Sequence, residues 1–472
     1  MIQPFVWEVE MDLDVFVTAG LGDSSYLLVS GREALIVDPQ RDAWRLHQAA
    51  DQRGATVRAV LETHVHNDYV SGAHEIRSST GAQILAPAKG RYEFPHRPVD
   101  EGDELLLSAL RLVAMATPGH TYEHVSYLVF EGDAAEPAAV FTGGSLLVGS
   151  AGRPDLLGPA HTDELTRAQY DSLRRLAELP ATARVLPTHG AGSFCVAAMP
   201  TTRRTSTIEE EQRDNALLTA PDFAEFSTEL RGELMAYPRY YRHMAPINRH
   251  GAPVLGRVPD LPALTAPDLA QRLGGEVWVV DGRDRDAFAA AHIPGSVNIE
   301  LNSGFASYVG WMLPFDAPLV LVLPEPHDTT RAEAVTQLIR IGWTRITGYL
   351  DGGIDAWTGG GYEVRSYPTV GVGELCDATL AGPPPYVLDV RQELERAWGT
   401  VPGSRQTFLA DLPEQLADLP YDRPVWVICS NGHRAAIAAS LLDRAGIEAR
   451  LIGEGGVGEW RQRCAAALTA AR

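Results

Sequence analysis

Two groups of residues in this chain have types and spacing that could do chemistry: one cysteine, Cys429, and a scatter of histidines in the first half. Cys429 follows the apolar run Val425-Trp426-Val427-Ile428 and opens the loop Ser430-Asn431-Gly432-His433-Arg434, after which residues 436–445 are rich in alanine. The pattern reads as a buried strand, a tight loop and a helix start, with a thiol at its mouth. Loop N–H groups and the positive end of a helix favour thiolate over thiol, and Arg434 should push the same way. Such a nucleophile can accept and hold a sulfur atom. The competing reading is a buried structural cysteine, which describes most free cysteines. Gly432 and Arg434 close by favour reactivity.

His64 and His66 lie one residue apart in His64-Val65-His66-Asn67-Asp68-Tyr69, just after the apolar Val60-Leu61. Two imidazoles so placed on a loop can aim at one point, as metal ligands must. His120 sits in the turn Thr117-Pro118-Gly119-His120-Thr121, and His189 in Pro187-Thr188-His189-Gly190-Ala191-Gly192-Ser193, each after an apolar strand. A single histidine of this kind is more often structural. Four at strand-end loops of one segment make a metal site the better reading.

The elements that must position these groups follow from the chain's organisation. A length of 472 residues suggests about three domains. With 45% hydrophobic and 21% charged residues, the composition is that of an ordinary soluble protein with ample core. A formal charge of −21 argues against nucleic acid and against anionic membrane surfaces, which need clustered Lys and Arg. No apolar stretch reaches transmembrane length. Glu8, Glu10, Asp12 and Asp14 near the start do not make a signal pattern. Cys195, Cys376, Cys429 and Cys464 lack the close spacing of disulfide or zinc-finger frameworks, so a reducing cytoplasm is the simplest location; Cys376 and Cys464 have no loop like that of Cys429 and read as structural.

Residues 1–200 alternate short strands with polar turns and helical stretches such as 163–178, an α/β layered pattern. Residues 201–262 read as a helical and Pro-containing connector that wraps rather than floats. Residues 263–368 and 369–472 look like an internal repeat of strands alternating with helices, implying small parallel-sheet domains. Val280-Asp281-Gly282-Arg283 parallels Leu388-Asp389-Val390-Arg391, and His292-Ile293-Pro294-Gly295-Ser296 parallels Thr400-Val401-Pro402-Gly403-Ser404. Pro318-Leu319-Val320-Leu321-Val322 parallels Pro424-Val425-Trp426-Val427-Ile428.

Both copies resemble rhodanese, a sulfurtransferase fold whose active loop is Cys-x-x-Gly-x-Arg at a helix N-terminus. The second copy matches with Cys429, Gly432 and Arg434. The resemblance implies a persulfide on Cys429, with Ser430, Asn431, Gly432 and His433 forming the loop that receives the substrate. In the first copy Leu323 stands where the cysteine should be, before the Pro-rich loop 324–331, so that copy reads as a structural or docking module.

The N-terminal segment resembles the metallo-β-lactamase superfamily, and within it the glyoxalase II and persulfide dioxygenase branch. Together with the tandem repeat it is similar to persulfide dioxygenase–rhodanese fusions. The fold class implied is α/β: a metallo-β-lactamase αββα sandwich followed by two small rhodanese-like parallel-sheet domains. Two positions depart from the branch's motifs. Tyr69 replaces the last histidine of the first motif, and Gly144, in Phe141-Thr142-Gly143-Gly144-Ser145, replaces the aspartate that completes a two-His-one-carboxylate iron site. A phenol with a pKa near ~10 is a poor substitute ligand.

What the resemblance then leaves is His64, His66 and His120 as ligands to one iron or zinc ion, with Asp68 and His189 left over from a second metal position. Such a site could be filled, weakly filled or empty. The function implied is an enzyme of sulfur metabolism that handles persulfide or sulfane sulfur, transferring it through Cys429 beside a dioxygenase-like domain with an altered metal site. Two alternatives stand beside it: an active dioxygenase oxidising a low-molecular-weight thiol persulfide to sulfite, and a degenerate scaffold. The partners expected are a small-molecule thiol persulfide or thiosulfate. Related fusions are often oligomeric, so a homo-oligomer belongs to the same expectation.

Overall fold

The computed structural model of this chain describes residues 11–197 and 202–470. Glu8, Glu10 and the expected boundary between residues 200 and 201 lie outside the described residues. The chain divides into two compact units, Met1–Pro259 with Leu338–Gly342, and Asp260–Gln337 with Trp343–Arg472.

Alternation along its strands explains the first unit. Tyr26 and Leu28 of strand Asp23–Ser30 point to one face, into a cluster with Leu35, Val37, Leu112, Val129, Phe141 and Leu186. Those residues come from two six-stranded sheets, so this cluster is the layer between them. Leu27 and Val29 point to the other face and pack with Ile36, Val60, Leu46 and Ile76, the last two from helices Trp44–Gln52 and Ala73–Thr80. The second sheet repeats the scheme: Val140 and Val185 pack on Leu173 and Leu176 of helix Pro159–Ala177. Strands with apolar residues on both faces must be covered on both, and the outcome is an αββα sandwich. Residues expected to form a connector contribute to that packing, since Ile208, Phe226 and Leu230 join the same outer layer.

The second unit holds two five-stranded parallel sheets of identical topology. Taking the strands of each copy in chain order as first to fifth, the order across the sheet is first, fifth, fourth, second, third in both. Registers agree residue by residue: Asp281 lies opposite Val322 in one copy and Asp389 opposite Ile428 in the other. Each of these aspartates is buried and accepts from the guanidinium two residues on, Arg283 Nη2 at 2.6 Å and Arg391 Nη2 at 2.7 Å. Leu323 and Cys429 are therefore equivalent positions, each just past the end of the central strand.

One expectation needs correcting. Cys376 and Cys464, 88 residues apart in sequence, form a disulfide with a Cα–Cα distance of 5.6 Å. It joins helices Val372–Ala381 and Val457–Ala470, whose cysteines line one core cluster with Val370, Trp426 and Trp460. Spacing along the chain carried no trace of this, because packing of the two helices brings the thiols together. With this bridge formed, the cysteines no longer point to a reducing compartment, since disulfides persist in oxidising ones. Among the described residues no helix is long and apolar enough to cross a membrane.

Closing a long loop constrains the unfolded chain, so Cys376→Ser with Cys464→Ser should lower the unfolding free energy of the second unit by about 2–4 kcal/mol. Denaturant titration without reductant measures this. An unchanged midpoint would mean that the bridge contributes nothing.

Candidate functional site

The buried strand Val425–Ile428 ends directly before Cys429, and the 12-residue helix His433–Arg444 starts four residues later. Gly432 caps that helix at φ +88°, a left-handed conformation that favours glycine. A Cβ there would also lie 2.2 Å from Arg285 Nη1 and 2.4 Å from the Gly453 carbonyl. This turn aims the Gly432 N–H at the Cys429 Sγ, to which it donates at 3.2 Å. Cys429 is fully buried, while the next two residues, Ser430 and Asn431, are exposed. The thiol expected at an open mouth is thus closed off from solvent.

Arg434 also departs from expectation. Its guanidinium forms a two-pronged pair with Glu395, Nη2 to Oε1 at 2.7 Å, and bonds Ser430 Oγ at 3.0 Å. Its charge is therefore met by a carboxylate rather than directed at the thiol alone. Burial opposes ionisation of Glu395, but Arg434 outweighs it and holds that carboxyl below its ordinary range.

The copy without a cysteine supplies groups that sequence reading missed. Arg285 Nη1 donates to the Asn431 carbonyl at 2.8 Å, and Glu300 Oε2 meets His433 Nδ1 at 2.8 Å. Arg285 also grips Glu300 with two nitrogens, at 2.9 and 2.8 Å. Burial works against the Glu300 charge, yet the hydrogen bonds from His433 and Arg285 win and hold its carboxyl at about 2. Tyr308 packs its ring 4.8 Å from that of His433. No sequence signal pointed to these partners, which lie more than a hundred residues from the loop.

In the first unit the histidines converge at the carboxyl ends of strands. Ring centroids lie 4.2 Å apart for His64–His66, 5.0 Å for His64–His120 and 5.3 Å for both His64–His189 and His120–His189. All are buried. On each ring one nitrogen is held. Thr63 Oγ1 gives its hydrogen to Asp38 at 2.7 Å and takes one from His64 Nδ1 at 2.9 Å. His120 Nδ1 meets the Arg153 carbonyl at 2.9 Å, and His189 Nδ1 meets Asp23 at 2.8 Å. His66 Nε2 faces Glu62 at 3.1 Å, Asp38 at 3.2 Å and the Tyr69 hydroxyl at 3.1 Å. Tyr69 thus braces His66 and is not itself turned towards the other rings.

This holding of one nitrogen by an acceptor is the arrangement that metal-binding imidazoles use to present the other. His120 Nε2 and His66 Nδ1 are buried and have no hydrogen-bond partner. Burial, with the neighbouring imidazoles, pushes His64 and His120 well below the ordinary imidazole value, so both are neutral and able to donate a lone pair. Burial likewise raises Asp23 to about 8 and Asp68 to about 7. The residues present therefore fit a metal ion.

Ligand atoms within 4.8 Å of one another are found in the sets His64–His66–His189, His120–His189–Cys195, Asp23–Asp68–His189 and Asp38–Glu62–His66. His64, His66 and His120 do not form one such set. His189, expected to be left over, is shared by three of them. Gly144 explains the missing carboxylate sterically: a Cβ there would fall 2.4 Å from His120 Cδ2. Its N–H donates to His124 Nε2 at 2.9 Å, which fixes the turn. Sequence reading missed Cys195, Asp23, Asp38 and Glu62; the place of Cys195 six residues after His189 was the available clue.

The metallo-beta-lactamase superfamily model matches residues 19–189, and the rhodanese-like domain model matches residues 265–359 and 374–463. Hydroxyacylglutathione hydrolase of Methylobacillus flagellatus is 38% identical over 170 residues, 35% of this chain. The chain covers only 60% of that relative's length. Hydroxyacylglutathione hydrolase of Synechococcus is 31% identical over 223 residues, which is 41% of this chain and 84% of the relative. A crystal structure of a metallo-beta-lactamase from Staphylococcus aureus is 28% identical, with a TM-score of 0.65, and covers 72% of this chain and 98% of that one. With the sandwich, the histidine loops and the duplicated parallel sheets in place, the chain belongs to the metallo-beta-lactamase superfamily and carries two rhodanese-like domains behind that domain.

Proposed function

We propose that this protein is a sulfurtransferase of the rhodanese type, with Cys429 as the atom-carrying nucleophile and a thiol persulfide or thiosulfate as donor. The observation that carries this reading is the Gly432 N–H donating to Sγ at 3.2 Å at the start of a helix. An amide and the positive helix end together stabilise negative charge on sulfur. With thiosulfate, Sγ attacks the outer sulfur, the sulfur–sulfur bond breaks and sulfite leaves. Cyanide then takes that sulfur from the cysteine persulfide, thiocyanate leaves and the thiolate returns. Because the thiol is buried, groups around it must shift for the donor to arrive. Arg434 and His433 are positioning residues here, held by Glu395 and Glu300.

The first unit would hold its ion, iron or zinc, with imidazoles drawn from His64, His120 and His189, and a bound ion there would supply a Lewis acid; His66, expected as a ligand, is engaged by Asp38 and Glu62. A small pocket lined by Glu62, His64, His66, His74, Tyr92 and Phe94 reaches the rings of His64 and His66. A dioxygenase reading lacks the carboxylate that Gly144 withholds.

Thiocyanate formation from thiosulfate and cyanide should fall to the buffer rate in Cys429→Ala and persist in His64→Ala. Turnover that survives the cysteine substitution would remove the reading. The Glu300 carboxylate supports a second expectation. Its folded value, about 2, lies below the ordinary 4.5, so it stabilises the fold above pH 4.5 and that stabilisation is lost as pH falls towards 2. Against Glu300→Gln the wild-type protein should be more stable by on the order of 1–2 kcal/mol at neutral pH, after allowing for solvent screening. Urea titrations at pH 7, 4.5 and 3.5 should show the gap shrinking only below pH 4.5. A constant gap would refute the account.

A further inference from the structure

We propose that the first unit binds one divalent cation through His120, His189 and Cys195, a set in which the cysteine sulfur supplies the negative charge that Gly144 withholds. The three ligand atoms lie within 4.8 Å of one another, and all three residues are buried. Nothing in the proposed sulfur transfer uses them.

Four observations lead there. His120 Nε2 is buried with no hydrogen-bond partner, while its Nδ1 is fixed by the Arg153 carbonyl. A buried polar atom left so is unfavourable unless something meets it. Secondly, Asp23 braces Nδ1 of His189 at 2.8 Å, which fixes the ring and leaves Nε2 as the nitrogen for a cation. Thirdly, His64 has its hydrogen on Nδ1 and presents a lone pair from Nε2 to His189 Nε2 at 3.4 Å. Only a proton on His189 or a cation relieves that approach.

Charge provides the fourth. Neutral imidazoles alone leave the charge of a buried dication uncompensated, which a thiolate ligand would offset. Asp23 and Asp68 both face Nδ1 of His189, the edge away from the ligand nitrogen. Glu62 and Asp38 are turned to His66. Among the described residues, Cys195 is the remaining group beside His120 and His189 that can become an anion. As the sulfur–metal bond forms, the thiol proton passes to solvent. Two imidazoles and a thiolate suit zinc or cobalt(II) better than a two-His-one-carboxylate set suited to iron.

The test uses the full chain carrying Cys429→Ser, which removes the other free thiol, stripped with a chelator and reloaded with cobalt(II) alone. It should bind about one cobalt per chain and show near-ultraviolet thiolate-to-cobalt charge-transfer absorption. Adding Cys195→Ser should abolish that absorption and weaken cobalt binding at least ~10-fold. X-ray absorption of the zinc-loaded parent, which needs no further variant, should show sulfur at about 2.3 Å. Failure to bind cobalt, absorption that survives Cys195→Ser, or a shell of nitrogen and oxygen alone around zinc would overturn the proposal.

Discussion

Strand register is the constraint on which both sites depend. In the second unit, Tyr386–Asp389 and Val425–Ile428 pair in parallel with Asp389 opposite Ile428, so the next residue, Cys429, leaves the sheet at its carboxyl end. In the first unit, strand Thr56–Leu61 runs out two residues before Thr63, whose N–H and hydroxyl both reach the buried Asp38. A shift by one residue would turn His64, or Cys429, to the wrong face. Loops set on the ends of doubly covered strands are where a rigid scaffold can hold reactive side chains without filling them with core.

Buried charge then decides what each loop can do. Around the histidines, burial opposes ionisation of Asp38, yet His66, Thr188 and Thr63 outweigh it and hold the carboxyl below its ordinary range. His66 is thereby kept as the cationic partner of Asp38 and Glu62, while His64 and His120 stay neutral. One imidazole answers the local carboxylates and the others keep lone pairs to offer. Around Cys429 the arrangement is reversed, with every nearby guanidinium already engaged: Arg434 by Glu395, Arg285 by Glu300, Arg391 by Asp389. The amide of Gly432 is left as the direct donor to sulfur.

Local pattern carried most of the fold. The alternation of short strands and turns expected of residues 1–200 is realised in strands such as Asp23–Ser30, Glu33–Val37 and Ala139–Gly143, and the doubled segment has the same strand order in both copies. Leu323 and Cys429 could be aligned because each follows a short apolar run that pairs the same way. What sequence withheld was partnership over distance. Cys376 finds Cys464 across 88 residues, Arg434 finds Glu395 across 39, and His433 finds Glu300 across 133. The convergence of His189 and Cys195 with His120 is of the same kind. A ligand set is a property of packed loops, and periodicity along one strand does not report it.

The unequal repeats make sense in these terms. Without a sulfur atom at position 323 the first copy cannot carry a persulfide, yet its Arg285 and Glu300 hold the loop of the second through the Asn431 carbonyl and the His433 ring. The backbone at Gly432 leaves no room for a side chain because Arg285 occupies that space. Removing the first copy would therefore uncover the loop and release His433 from its carboxylate. One sheet presents the reactive atom, and its duplicate, freed from that task, supplies the wall against which the loop keeps its shape.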